Sequence, residues 1–209
     1  MINIFNFIIH IDQNLLYLVQ SYGSYVYFIL FAIIFLETGL VIMPFLPGDS
    51  MIFVAGTFAA QGVLNVYLLF ILLSLAAILG DTLNYWIGKY FCNKLFNRCV
   101  NEKYLNKTQE FYERHGAKTI IIARYIPIVR TFAPFVAGIG KMNYPKFLSY
   151  NIIGGITWVA LFVFGGYFFG NIPFVKDNLT FVVGIIILIS LMPPIIAWLK
   201  NRNKKIKMQ

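Results

Sequence analysis

Long apolar runs dominate the chain, and the few polar positions that interrupt them fall at particular places. Phe147 to Gly170 is 24 residues without an Asp, Glu, Lys, Arg or His, and Leu179 to Leu199 is 21 more. Each exceeds the roughly 20 residues a helix needs to cross the hydrocarbon core of a bilayer. Both are predicted to be transmembrane helices, and the Pro193–Pro194 pair is expected to kink or end the second near its exit. Val66 to Gly88 is also long enough to cross, although it carries Asp81.

Two further apolar stretches are broken in the middle. Residues 26–61 hold Glu37, Pro44, Pro47, Gly48 and Asp49, and residues 119–140 hold Arg124, Pro127, Arg130 and Pro134. Proline and glycine at such positions oppose a single straight helix. Broken apolar segments in corresponding halves of a membrane protein point to a site built from discontinuous helices. Backbone of that kind is tolerated at depth only where it is buried in protein or lines a wet cavity. Both stretches are therefore predicted to be re-entrant hairpins. The alternative for the first is that Val26 to Leu46 simply crosses.

The first 23 residues follow another rule. Asn3, Asn6, His10, Gln13, Tyr17 and Gln20 recur at helical spacing with Ile, Leu and Phe opposite. This predicts an amphipathic helix lying in the membrane interface. No basic residue precedes its apolar part, as a signal peptide would require.

Composition agrees with the pattern. Of 209 residues, 59% are hydrophobic and 12% charged, against roughly 45–50% and 25% in soluble domains. This excludes a soluble enzyme, a disordered chain and a nucleic-acid module. The net charge of +9 sits between apolar spans, so its partner is anionic lipid at the membrane surface, above all at the basic tail. Two cysteines, Cys92 and Cys99, exclude a disulfide framework and show no zinc spacing. No cofactor or metal is implied.

Charge also orients the chain. Residues 89–118 carry seven Lys/Arg and three Glu, and the tail over 200–209 carries five Lys/Arg and no acid. The 171–178 loop has only Lys176 as a base, and the first 23 residues have none. The positive-inside rule puts the 89–118 loop and the C-terminus in the cytoplasm. Parity then requires residues 119–140 to return to the side they entered from. The first hairpin opens to the outside, so the two enter from opposite faces as an inverted repeat. A slight internal match accompanies this: Phe53-Val54-Ala55-Gly56 against Phe135-Val136-Ala137-Gly138. The predicted fold is thus an all-α integral membrane protein forming one membrane domain over 1–209. It has two opposed re-entrant hairpins (26–61 and 119–140), about three transmembrane helices (66–88, 147–170 and 179–199) and the N-terminal amphipathic helix.

The candidate chemistry is the charge inside the membrane. Residues 23–88 contain only Glu37, Asp49 and Asp81, while residues 119–140 contain only Arg124 and Arg130. One charge at mid-bilayer costs at least ~2.5–3.5 kcal/mol, so such residues pair or face water, and they are functional candidates by default. In a purely structural reading, Glu37 and Asp49 neutralise Arg124 and Arg130 and lock the hairpins together. In a functional reading the arginines hold a phosphate headgroup with their bidentate forks, and the carboxylates Glu37 and Asp49 exchange protons. Asp81, following Gly80, caps or kinks its helix or pairs with one arginine. The aromatics Phe162, Phe164, Tyr167 and Phe168 read as lipid-facing or packing residues, and Trp86, Trp158 and Trp198 as interface residues. There is no phosphate-binding glycine loop, HExxH or nucleophile elbow, so no enzyme and no ATP-driven pump is predicted.

These residues carry a family resemblance. Glu37-Thr38-Gly39 with Pro44-Phe45-Leu46-Pro47-Gly48-Asp49-Ser50 resembles the first signature of the DedA family. Arg124-Tyr125-Ile126-Pro127-Ile128-Val129-Arg130-Thr131-Phe132-Ala133-Pro134, then Ala137-Gly138, Met142, Phe147, Asn151, Gly154 and Trp158, resembles the second. Gly80-Asp81 and Tyr85-Trp86-Ile87-Gly88-Lys89 resemble the piece between. The chain departs from the pattern at Tyr90-Phe91-Cys92, where members often have another glycine. The resemblance implies opposed re-entrant hairpins, kinship with eukaryotic VTT-domain lipid scramblases, and a place in a bacterial cytoplasmic membrane. It also implies proton-motive-force-dependent transport and recycling of undecaprenyl phosphate, with dependence on acids and bases matching Glu37, Asp49, Arg124 and Arg130. Asp81 and, within the second signature, Thr131 and Asn151 are supporting candidates. The expected function is a proton-coupled lipid-phosphate flippase. The alternatives are a non-selective phospholipid scramblase, a proton-coupled antiporter of small cations or drugs, and an assembly factor without transport.

Overall fold

The computed structural model describes residue 17 and residues 21–40, 48–94, 118–179, 181–182 and 184–186. The amphipathic helix predicted over 1–23 lies outside these except for Tyr17 and residues 21–23. Pro44 and Pro47, residues 95–117 of the basic loop, and everything from 187 onward, including most of the 179–199 span and the tail, also lie outside.

Among the described residues the chain is all helical. In order, α1 is Tyr25–Gly39, α2 Gly48–Ala60, α3 Val66–Lys94, α4 Lys118–Ala123, α5 Pro127–Ile139, α6 Tyr144–Phe169 and α7 Pro173–Asp177. Two of these, α3 over Val66–Tyr90 and α6 over Tyr144–Phe169, are long and apolar enough to cross a membrane. Both were expected, yet both overrun their apolar limits. Residues 89–94 continue α3 rather than begin a loop, since no breaker stands between Gly88 and Lys94. Helix α6 starts three residues before Phe147, where the Asn143 side chain accepts a hydrogen bond from the Lys146 N–H and Pro145 sits in the first turn.

Local chemistry sets the other ends. Gly62 has φ of 76°, which lets the chain turn out of α2. The Asn65 side chain then accepts from the N–H groups of Tyr67 and Leu68 and caps α3. The break expected in 119–140 falls between α4 and α5. Ile126 is extended and Pro127 opens α5, where its missing N–H costs nothing. Pro134 does not break the chain: α5 carries it inside.

Helices α3 and α6 run antiparallel. The ring of Phe70, early in α3, lies 5.3 Å from that of Phe164, late in α6, and Tyr85 stacks at 4.6 Å on Phe147 near the start of α6. The short helices divide between them. Helix α1 packs on α3 and α2 on α6, whereas α4 packs on α6 and α5 on α3. Each close pairing is made by glycine. A Cβ on Gly56 would lie 2.3 Å from the Val163 carbonyl oxygen, and one on Gly166 would lie 2.0 Å from that of Phe53. Across the molecule, a Cβ on Gly138 would lie 2.1 Å from the Tyr85 oxygen, and one on Gly88 would lie 2.2 Å from that of Phe135. The internal match Phe-Val-Ala-Gly thus occupies the same place in two helix seams. The apolar core lies between α1, α2, α3 and α6. A second aromatic cluster, around Tyr85 and Phe147, closes the other end. The outer faces stay apolar: Tyr67, Ile71, Leu75 and Leu79 are exposed along α3, and Ile153, Leu161 and Phe168 along α6.

Candidate functional site

The intramembrane charges converge on the middle of this arrangement. Glu37 ends α1, Asp49 begins α2, Asp81 stands mid-way along α3, Arg124 follows α4 and Arg130 lies in the first turns of α5. Asp49 is 13% exposed at its side chain and the other four are 6% or less. All five are therefore within the protein and not facing lipid.

The pairing follows one expectation, an arginine on Asp81, and departs from the other, in which Glu37 and Asp49 neutralise Arg124 and Arg130 between them. Arg130 takes both Glu37 and Asp49: one Nη donates to Glu37, and the other donates to Asp49 at 2.7 Å. Arg124 has neither. It donates to Asp81 and to the Asn151 side chain, which lies on α6. Asp81 therefore neither caps nor kinks anything: α3 runs through it, and its carboxylate holds Arg124. The Nε of each arginine has no hydrogen-bond partner.

Glycine builds the Glu37 site. A Cβ on Gly48 would lie 1.9 Å from Glu37 Oε2, so only glycine lets the carboxylate reach the N-terminal end of α2. There the helix dipole favours an anion. Gly80 does the same for Thr38, whose Oγ1 would lie 1.9 Å from an added Cβ. The other two supporting candidates, beside Asp81, take different parts. Asn151 ties α6 to α3 by donating to the Ile78 carbonyl at 3.0 Å while it accepts from Arg124. Thr131 is buried, and its backbone carbonyl accepts from Asn84 at 2.6 Å.

Two residues escaped the sequence reading. Asn84, fully buried one turn beyond Asp81, donates to the carbonyls of Thr38 and Thr131 and so joins the end of α1 to the start of α5. A polar residue three positions after a buried acid, on the same helix face, was the available signal. Trp158 is not at an interface. It is 1% exposed, its indole N–H donates to Asp49 Oδ1 at 3.0 Å, and its ring centre lies 4.9 Å from the Arg130 guanidinium and 6.0 Å from that of Arg124. Among the described residues no group of His, Cys, Asp or Glu is placed to hold a metal ion.

This constellation sits in a recognisable sequence. The chain matches the VTT domain over residues 46–168. It is 52% identical to the protein DedA of Escherichia coli K12 over 204 residues, 95% of this chain and 93% of that one. The chain belongs to the DedA family. Other members are more distant. An uncharacterized membrane protein of Mycobacterium leprae is 41% identical over 79% of this chain and 76% of its own length. The inner membrane protein YghB of E. coli K12 is 36% identical over 74% and 73%. No solved structure matches. The DedA-family chain described here is thus a membrane protein in which three acids and two arginines, all but Asp49 buried, pair within the helical bundle.

Proposed function

We propose that this DedA-family chain is a transporter that carries a lipid phosphate, undecaprenyl phosphate, across the cytoplasmic membrane, coupled to protons. The observation that carries the reading is Arg130. A buried guanidinium held by two carboxylates from a different segment is an anion site with its own counter-ions in place. A phosphate monoester can replace a carboxylate on the same fork, and a displaced carboxylate in an apolar surround is best kept by taking a proton. Exchange of this kind couples an anion to a proton without further groups.

The same reading treats α1–α2 and α4–α5 as re-entrant hairpins in a single membrane domain. Their helices of 15, 13, 6 and 13 residues each fall short of the roughly 20 needed to span. In each half the first arm packs on its own crossing helix and the second on that of the other half, which is the pattern an inverted repeat with opposed hairpins produces. The lipid tail stays in the bilayer while only the headgroup passes the charge cluster.

The test is movement of undecaprenyl phosphate across liposomes holding the purified protein, with and without a pH gradient. Movement is expected to need the protein, to rise with the gradient and to be lost in Arg130→Ala. Arg130→Lys, which keeps the charge but not the fork, is expected to lose at least tenfold. Equal movement of ordinary phospholipids without the gradient would make the chain a scramblase instead. Proton–cation exchange without lipid movement would make it an antiporter.

A further inference from the structure

Trp158 has a geometry that neither burial nor membrane anchoring requires. Its N–H meets the same Asp49 oxygen that Arg130 holds: Arg130 Nη1 at 2.7 Å and Trp158 Nε1 at 3.0 Å both donate to Oδ1. Its ring stands beside both guanidiniums. The side chain is packed into the apolar core with Val159, Val163 and residues of α1 and α2, so it cannot follow Arg130 when the arginine turns to a ligand. Indole is a donor only and carries no titrating proton in water. It offers Asp49 the same hydrogen bond whatever Arg130 does.

We infer that Trp158 is a positioning residue: it retains Asp49 while Arg130 is released to an anionic headgroup, so that binding the headgroup does not strand a carboxylate that is only 13% exposed. This rests on the reading that Arg130 binds a lipid phosphate. A stranded carboxylate is the chief cost of breaking a buried ion pair. A second donor already in place lowers that cost before any ligand arrives. Glu37, the other acid on Arg130, sits against the Gly48 end of α2 and is not served by Trp158. Asp81 and Arg124 form the neighbouring pair across the same ring.

The role predicts a particular kinetic signature. Trp158→Phe keeps a flat ring beside both cations and removes only the N–H. In liposomes of neutral phospholipid, the half-saturating concentration of undecaprenyl phosphate is expected to rise about tenfold, the size of change one hydrogen bond to a charged group produces. The maximal rate is expected to hold. An unchanged half-saturation, or a lower maximal rate at unchanged half-saturation, overturns the role. Failure of the wild-type protein to move this lipid overturns the functional reading instead. A second measurement stands independent of that variant's folding. With Trp86→Phe and Trp198→Phe, Trp158 is the one remaining tryptophan. Its emission is expected to shift on addition of undecaprenyl phosphate, as Arg130 leaves its ring, and not on addition of undecaprenol. An emission indifferent to the phosphate overturns the inference as well.

Discussion

Each buried charge of this chain is meaningful only with its partner. Arg124 is 3% exposed and its acid, Asp81, is 6% exposed at the side chain. Removing one member leaves the other bare, which costs about 3–5 kcal/mol, whereas removing both charges together can be nearly neutral. Arg124→Gln and Asp81→Asn are each expected to lower the unfolding temperature in detergent by several degrees. The double variant is expected to recover most of the loss. Additive losses would show that the pair contributes little and that each residue is held by something else. The result bears on function too. If the neutral double variant also transports, Arg124 is a structural cation and the headgroup is held by Arg130 alone. A second residue-scale prediction concerns Gly48. An added methyl there meets the Glu37 carboxylate at 1.9 Å, and Glu37 is fully buried. Gly48→Ala is therefore expected to impair transport as severely as Glu37→Gln does, although position 48 carries no charge.

At the scale of the elements, four glycines let the broken helices lie backbone-to-backbone on the crossing helices. The clash an added Cβ would meet at Gly56, Gly88, Gly138 and Gly166 is with a main-chain carbonyl in every case, so no rotamer change relieves it. Small residues at such contacts are what bilayer-embedded helices use to approach closely. Alanine at Gly56 or Gly138 is expected to cost about 1–3 kcal/mol, read as a lower unfolding temperature. Gly165→Ala, one residue from Gly166 but with only ordinary contact to Phe53 at 3.8 Å, is expected to leave it unchanged. These seams also show what a sequence can and cannot reveal. The match Phe53-Val54-Ala55-Gly56 to Phe135-Val136-Ala137-Gly138 was visible, as was the break before Pro127, because glycine and proline act locally. Which acid would meet which arginine was not visible. That depends on how α1 and α2 separate onto different crossing helices, a packing outcome with no local signature. The inward place of Trp158 has no local signature either: in an apolar helix an aromatic facing inward and one facing lipid are written alike. Asn84 carries no charge, so the cost of placing an ion in the bilayer does not single it out.

The whole molecule has two unlike ends, and this predicts how it sits in the membrane. Because α3 and α6 are antiparallel, the end of α3 and the start of α6 share one side. That side carries Lys89, Lys141 and Lys146; Tyr90 and Tyr144 pack on the Trp86 ring, and the Lys89 ammonium stands 4.8 Å from the centre of that ring. Amphipathic aromatics mark a membrane interface on either side, and the excess of basic side chains is what points to the cytoplasmic one. The other side, residues 61–65 and the turn after α6, has no Lys or Arg before Lys176. With Cys92 and Cys99 replaced by serine, single cysteines read the sides directly. Val63→Cys and Ile172→Cys, both at exposed positions, are expected to react with a membrane-impermeant maleimide on intact bacterial cells. Asn143→Cys is expected to react only after the membrane is opened. With that orientation, the proposed transport has a headgroup reach Arg130 from one side and leave on the other. Labelling of Asn143→Cys alone on intact cells would invert this orientation and reverse the direction in which a proton gradient could drive the lipid. Labelling of all three positions from outside would deny that α3 and α6 cross.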